Sequence, residues 1–245
     1  PAASIMGAIP YAPEKQDAIV LDIGGTTTDI AFLVDKAPLL EPVGIRRGKY
    51  KSLIRSLRTE SRGIGGDSVL RVKDGKLAVG PDRQGPAMAF GGPAPTPTDA
   101  LVVLGLMNEG DSTAAREGIG NIAQSLGMTD TDAANHIFQT CCNIILKKTF
   151  EMIDRLNTQP VYTVHEFLEG YKISPRKILL LGGPARYFAE RIEEMYHIKT
   201  DVVPQSSVAN AIGAALARTT CEVSLNADTE QGILTAHEED FAEPV

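Results

Sequence analysis

The sequence predicts an α/β fold with a mixed sheet, β-hairpins and a helical subdomain. Three observations carry that expectation: a strand, tight turn and strand across 18–34; helical periodicity between about 98 and 172; and alternating strands and helices after Pro175. With 43% hydrophobic and 22% charged residues, the 245-residue chain has enough apolar material for a sizeable core.

The elements follow in order. Ala18-Ile19-Val20-Leu21 is rich in strand formers and ends at Asp22, where two glycines break the pattern before a second strand, Asp29 to Val34. Pro42 to Thr59 reads as further strands, because Pro and Gly interrupt any helical period. Val69 to Val79 alternates around Lys73-Asp74-Gly75-Lys76, whose Asp-Gly pair suits a type I′ hairpin. Pro81 to Pro97 is a loop by composition, and Thr98-Asp99 is expected to cap a helix running through Leu106. Ala134, Ile137, Cys141, Ile145, Met152 and Leu156 recur at helical spacing, predicting one long amphipathic helix from about Thr131 to Asn157, with Cys141 on its apolar face as a small buried hydrophobe. Lys177-Ile178-Leu179-Leu180-Leu181 has the continuous apolar character of a strand buried on both faces. A helix from Ala185 to Tyr196, a strand near Asp201-Val202-Val203 and a small-residue helix from Val208 to Ala217 complete this half. The stretch 222–245 is expected to hold one strand and then an acidic segment.

Composition narrows the function classes. A net charge of -7, with no long run of Lys and Arg, argues against a nucleic-acid partner. No apolar run approaches the ~20 residues of a membrane span, and no charged-then-apolar leader opens the chain, so the expected location is cytoplasmic. Cys141, Cys142 and Cys221 form no Cys-x-x-Cys arrangement, and His136, His165, His197 and His237 lack metal-ligand spacing; both sets are expected to be structural or solvated.

Chemistry concentrates in Asp22-Ile23-Gly24-Gly25-Thr26-Thr27-Thr28-Asp29, between two predicted strands. Gly24 and Gly25 permit a turn tight enough for main-chain amides to approach a phosphate, and the hydroxyls of Thr26, Thr27 and Thr28 add donors. A carboxylate beside phosphates is repulsive unless a divalent cation intervenes, so Asp22 implies magnesium held through water, with Asp29 supporting the turn or the metal. The alternative, a hairpin turn with polar decoration, is disfavoured by this composition between two strands. No Gly-Lys-Ser or Gly-Lys-Thr follows a glycine loop, and no Gly-x-Gly-x-x-Gly opens a helix, which excludes two other nucleotide folds. A second signal is Gly182-Gly183-Pro184-Ala185, where a buried strand ends in small residues that let a flat ring lie against backbone beside a helix start.

An Asp-Gly-Gly-Thr turn followed by strand-Gly-Gly-helix resembles the actin, Hsp70 and sugar-kinase superfamily, whose lobes are ribonuclease H-like and in which these motifs hold phosphate and adenosine. In detail the chain resembles the hydantoinase A and 5-oxoprolinase family: Asp22, Gly24, Gly25, Thr26, Thr28 and Asp29 match its second Asp-x-Gly-Gly-Thr-x-Thr-Asp motif. Pro1-Ala2-Ala3-Ser4 resembles its Gly-Pro-Ala-Ala element, Gly63-Ile64-Gly65-Gly66-Asp67-Ser68 its glycine-rich loop, and Leu77-Ala78-Val79-Gly80-Pro81 the strand after it. The stretch from Gly91-Gly92-Pro93-Ala94-Pro95 to Thr98-Asp99-Ala100 is the most family-specific. Two departures stand out: Asp67 occupies a place normally small and neutral, and Met88-Ala89-Phe90 replaces a longer Cys-Tyr-Gly-Arg-like stretch.

The resemblance implies an actin-like ATPase lobe over 1–221, ATP and magnesium as cofactors, and ATP-dependent opening of a cyclic amide such as hydantoin, N-methylhydantoin or 5-oxoproline. Gly24, Gly25, Thr26, Thr27, Thr28, Gly65, Gly66, Gly182, Gly183 and Pro184 are then expected to bind nucleotide, with Asp22 and Asp29 catalytic and Asp22 on the metal. The alternatives are a subunit of an ATP-dependent carboxylase and a non-metabolic ATPase or reactivase module. Family members carry an additional amino-terminal half with a first phosphate motif and often pair with a hydantoinase B-like subunit. The resemblance therefore implies a fragment that lacks its opposing lobe and is inactive alone.

Overall fold

The structure, a computed structural model, describes residues 1–41, 44, 46–47, 49–52, 56–158, 172–218, 225–236 and 241–244. Its centre is a six-stranded mixed sheet. Strand β1 (Ala18–Ile23) runs parallel to β11 (Lys177–Leu181), which runs parallel to the edge strand β12 (Lys199–Val202). On its other side β1 pairs antiparallel with β2 (Thr28–Val34), which pairs with both β3 (Ala37–Pro38) and β8 (Thr59–Arg62).

Alternation along these strands sorts side chains to two faces. Ile19, Leu21, Ile23, Ile30, Phe32, Ile178 and Leu180 form one core with α4 (Asp130–Thr158) and α5 (Ala185–Tyr196). Val20, Ala31, Leu33, Leu179 and Leu181 form another with α1 (Ala2–Ala8) and α6 (Ala209–Leu216). Helices α1 and α6 cross so closely that a Cβ on Gly213 would overlap the Ala3 carbonyl oxygen, and one on Gly7 would overlap that of Ala209.

A third core joins α2 (Pro97–Val103), α3 (Ser112–Leu126), the start of α4 and Leu70 of β9 (Leu70–Lys73). Because α4 contributes Ala133, Ala134 and Ile137 to this core and Phe138 to Ile153 to the sheet core, one continuous helix ties the two together. The hairpin of β9 and β10 (Lys76–Val79) has Asp74 at φ 52° and Gly75 at φ 69°, the two positive values that a type I′ turn requires.

Several expectations are corrected. Helix α2 begins two residues earlier than expected: Thr96 is the N-cap, Pro97 the first helical residue and Asp99 the reciprocal partner in a capping box. It ends at Val103 rather than Leu106, because Gly105 enters the left-handed region at φ 69° and Leu106 N–H turns back to the Leu101 carbonyl, a Schellman stop. Between the sheet strands lie the short pairs β4 (Leu40–Glu41) with β7 (Ser56–Leu57) and β5 (Arg46–Arg47) with β6 (Tyr50–Lys51); residues 42–43, 45, 48 and 53–55 of that expected strand region lie outside the described residues. The tail carries three strands rather than one, β13 (Asn226–Asp228), β14 (Ile233–Ala236) and β15 (Phe241–Pro244), in an antiparallel meander whose first hairpin turns through Gly232 at φ 68°. Its strands are too short and exposed to show a two-residue apolar period. Positions 159–171, 219–224, 237–240 and 245 lie outside the described residues; they include His165, Cys221, His237, the 221/222 boundary and part of the expected 98–172 subdomain. Among the described residues no helix is long and apolar enough to cross a membrane.

Candidate functional site

Parallel strands β1 and β11 end side by side, Asp22 opposite Leu181, so the Gly24–Thr27 turn and Gly182–Pro184 emerge at one end of the sheet. The carboxyl end of parallel strands is where open α/β sheets place ligands. Gly182 sits at φ 92°, where a Cβ would overlap the Ile23 carbonyl and come within 2.9 Å of Asp22 Oδ1. Glycine is therefore required for the two motifs to touch. At Gly183, by contrast, a Cβ would meet no atom within 4 Å.

The Gly24–Thr27 turn is closed by Gly24 N–H donating to the Thr27 carbonyl at 2.9 Å. The loop 63–68 packs behind it: Gly66 N–H donates to the Gly24 carbonyl at 2.9 Å and Asp67 N–H to the Gly25 carbonyl at 2.7 Å. A Cβ on Gly65 would lie 2.5 Å from the Gly24 carbonyl oxygen, so the approach again depends on glycine. Each trans peptide directs its N–H opposite to its C=O. With the Gly24 and Gly25 carbonyls turned into the loop, the amides of Gly25 and Thr26 face away from it. These amides, and the Thr26 and Thr27 hydroxyls, make no hydrogen bond among the described residues.

The loop is held from below. Thr98 donates both its amide, at 2.9 Å, and its hydroxyl, at 2.8 Å, to the Gly66 carbonyl. Asp99, fully buried, accepts from the amides of Ala89 (2.8 Å), Met88 (3.1 Å) and Thr96 (2.8 Å) and from the Thr96 hydroxyl (3.0 Å). Burial pushes its carboxyl above the ordinary range while these donors pull the other way. A Cβ on Gly66 would crowd Thr98 Oγ1 at 2.7 Å and contact Pro184 Cγ at 3.5 Å, so segments around 24, 66, 98 and 184 converge on one place.

Three expected binding residues have supporting positions. The Gly66 amide is committed to Gly24, and the Gly65 amide to the buried Ser68 hydroxyl at 2.9 Å. The Thr28 side chain is fully buried and donates its hydroxyl to the Ile64 carbonyl at 2.8 Å, so it anchors the loop rather than opening to the cleft. Asp29 accepts from the Ser61 hydroxyl on β8, beside rather than within the turn. Asp22 is half-buried, and its carboxylate has no hydrogen-bond or ion-pair partner among the described residues. No cluster of three or more His, Cys, Asp or Glu side chains among those residues could cage a metal ion. Magnesium, which keeps several waters and takes one or two carboxylates plus phosphate oxygens, needs no such cage. Asp22 fits that requirement.

Sequence reasoning missed Ser68, Thr98 and the ion pair in which Arg83 donates to Asp67 at 2.8 Å. The polar positions flanking Gly65 and Gly66 were the available signal for Ser68 and Asp67; Thr98 was marked as a helix cap but not as a partner of the loop, and nothing local marked Arg83. A cavity of about 450 Å³ lies at the β12 edge, lined by Tyr11, Thr200, Asp201 and Pro204 among others, and includes none of the motif residues.

Fold and site together define an actin-like α/β lobe whose two glycine turns meet at the carboxyl ends of parallel strands. The sequence model of the hydantoinase/oxoprolinase family matches residues 1–223, and the chain belongs to that family. Acetophenone carboxylase gamma subunit from Aromatoleum aromaticum (strain DSM 19018 / LMG 30748 / EbN1) is 30% identical over 153 residues, covering 55% of this chain and 21% of that protein. Among solved structures, a nucleotide-free acetone carboxylase shares 20% identity at TM-score 0.69, covering 87% of this chain and 31% of its own. An ATP-dependent caprolactamase from Pseudomonas jessenii shares 24% identity at TM-score 0.65, covering 87% and 32%. The chain thus spans about a third or less of the length of these relatives.

Proposed function

We propose that this chain supplies the phosphate- and adenosine-binding wall of an ATP-dependent enzyme that opens a cyclic amide such as hydantoin, N-methylhydantoin or 5-oxoproline. One observation carries the reading: Gly25, Thr26 and Thr27 present unpaired donors beside an unpaired Asp22 carboxylate, while Gly183 leaves open space at the adjoining strand end. Unpaired amides in a tight turn are an anion site. The space over Gly183 and the start of α5 admits a flat ring against backbone. Membership of the hydantoinase/oxoprolinase family and the fold shared with a caprolactamase support amide chemistry.

In this reading the Gly25 and Thr26 amides and the Thr26 and Thr27 hydroxyls bind and orient the terminal phosphates. Thr28, Gly65, Gly66 and Ser68 keep the turn rigid, so little reorganisation accompanies binding. Asp22 would hold magnesium through water, and the ion would offset the charge that builds on the phosphoryl group as it moves to the amide oxygen. The opposing wall and the amide site come from residues outside these 245, since the solved relatives are about three times longer. A hydantoinase B-like partner subunit fits, because the acetophenone carboxylase relative is itself named as a subunit. The buried free thiols of Cys141 and Cys142 suit the cytoplasm.

A second reading is favoured by that same relative and by the acetone carboxylase fold: ATP would serve a carboxylation instead. The experiment is calorimetry of the full-length protein with ATP and magnesium, wild type against Asp22→Ala, followed by phosphate release with each cyclic amide and with ketone plus bicarbonate. The expected result is magnesium-dependent ATP binding that Asp22→Ala abolishes, and turnover with an amide. Turnover with ketone and bicarbonate alone selects the carboxylase; absence of nucleotide binding by the wild type ends both readings.

A further inference from the structure

The phosphate turn carries no cation of its own, and its neighbours are acidic. Besides Asp22, the Asp67 carboxylate lies directly on the turn: its amide donates to the Gly25 carbonyl at 2.7 Å, and a Cβ placed on Gly25 would meet Asp67 Oδ2 at 2.5 Å. An uncompensated carboxylate there would repel a bound polyphosphate. Arg83 compensates it, donating from Nη2 to Asp67 Oδ2 at 2.8 Å. The guanidinium has five N–H donors, of which this contact takes one. Its side chain is 44% exposed against 18% for Asp67, so the remaining donors stay reachable two hydrogen bonds out from Gly25, through Asp67. Two constraints bring Arg83 there. Val69 N–H donates to the Asp82 carbonyl at 2.9 Å, and Arg71 pairs with the Asp82 carboxylate at 2.9 Å, fixing the segment after β10 against the glycine loop. Another cation near the site, Arg186 at the start of α5, is engaged instead by Glu109 at 3.2 Å and by the Tyr187 hydroxyl.

We infer that Arg83, held at the Gly24–Thr27 turn by Asp67, is a positioning residue for the terminal phosphates of the bound nucleotide. The inference rests on the ATP reading above and adds a group which that reading does not contain. Arg83 acts in two ways: it cancels the Asp67 charge that phosphates would otherwise meet, and its free donors face the added negative charge of a tri- over a monophosphate. Only the second phosphate onward benefits, so the effect depends on phosphate number.

The test compares ATP with AMP binding to the full-length protein by calorimetry at fixed ionic strength, in wild type, Arg83→Ala, Arg83→Lys, Asp67→Asn and the Arg83→Ala/Asp67→Asn double variant, each checked for an unchanged melting temperature. Arg83→Ala is expected to weaken ATP roughly tenfold, as loss of one charge-assisted contact does, while AMP changes by less than about twofold. Arg83→Lys retains part of the ATP affinity. Adding Asp67→Asn to Arg83→Ala restores part of it, because the carboxylate left bare is removed. ATP and AMP weakening in equal proportion, or ATP affinity untouched by Arg83→Ala, overturns the inference and leaves the pair as a latch on the loop after β10. A wild type that binds neither nucleotide defeats the ATP reading itself, and this inference with it.

Discussion

Gly182 and Gly183 are adjacent in sequence yet differ in what a side chain at each would meet, and the difference separates folding from binding. A methyl on Gly182 would overlap the Ile23 carbonyl at a φ of 92° that L-residues rarely adopt, whereas one on Gly183 would enter empty space at the strand end. Gly182→Ala should therefore destabilise the chain by about 1–3 kcal/mol through overlap and strain. Gly183→Ala should leave unfolding within roughly 0.5 kcal/mol of wild type while weakening nucleotide binding in the full-length protein, since the methyl occupies the ligand's space. Urea titration and calorimetry on both variants read this; equal stability losses would show that Gly183 is not open to a ligand. At this scale the sequence was legible where a residue type has one use. Asp22 lies near the end of β1, and Gly24 and Gly25 lie in the turn before β2, as the strand-turn-strand pattern expects. Thr28 could not be told from Thr26 and Thr27, because which of the three leaves the turn as the first, buried residue of β2 is decided only by the strand's register. Arg83 was illegible for a related reason: its partner is set by a loop path, not by spacing.

Among the elements, those with a strong local signal emerged as read. The apolar β11, the periodic α4, and α5 with both its ends match their patterns. The Asp74-Gly75 hairpin does too. The start of α2 was misplaced because Thr96-Pro97-Thr98-Asp99 offers two hydroxyls, and the deciding fact is reciprocity: Asp99 reaches back to the Thr96 amide and hydroxyl. The sequence marked α6 by its small residues, but neither α1 nor its crossing with α6. It is a backbone-to-backbone fit, with Gly213 against Ala3 and Gly7 against Ala209. Gly213→Ala should consequently cost more than a helix-interior Gly→Ala normally gains. Propensity would add about 1 kcal/mol of stability, but separating the helices to admit the methyl costs roughly 3 kcal/mol. Thermal melting of Gly213→Ala beside Gly120→Ala in α3, whose Cβ has no neighbour nearer than 3.5 Å, tests this. A fall for the first with no fall for the second is expected; a stabilised Gly213→Ala would mean that the helices do not cross at this distance.

For the molecule as a whole, the question is whether the sheet and the helical region unfold together. Helix α4 answers structurally: its first turns lie in the core of α2 and α3, and its later turns lie in the core of the sheet. Cys141 and Cys142 sit at the start of that second stretch, in the sheet core, both buried and unpaired. Burial raises both thiols, Cys142 to about 12 and Cys141 further, so thiolate is essentially absent near neutral pH. Alkylation therefore requires the core to open. Because the folded values lie above the unfolded ones, the thiols' contribution to stability is intact below the unfolded value near 9.0 and declines as pH rises beyond it, where the unfolded chain gives up protons that the folded chain keeps. The expected outcome is that iodoacetamide labelling of the peptide carrying Cys141 and Cys142, followed by mass spectrometry across a urea series at pH 7.5, has the same midpoint as the loss of helical circular dichroism. That midpoint should fall at pH 9.5. Labelling at much lower urea than the dichroism midpoint would mean that α4 detaches from the sheet before the rest unfolds, and that the helical region and the nucleotide wall are separable units.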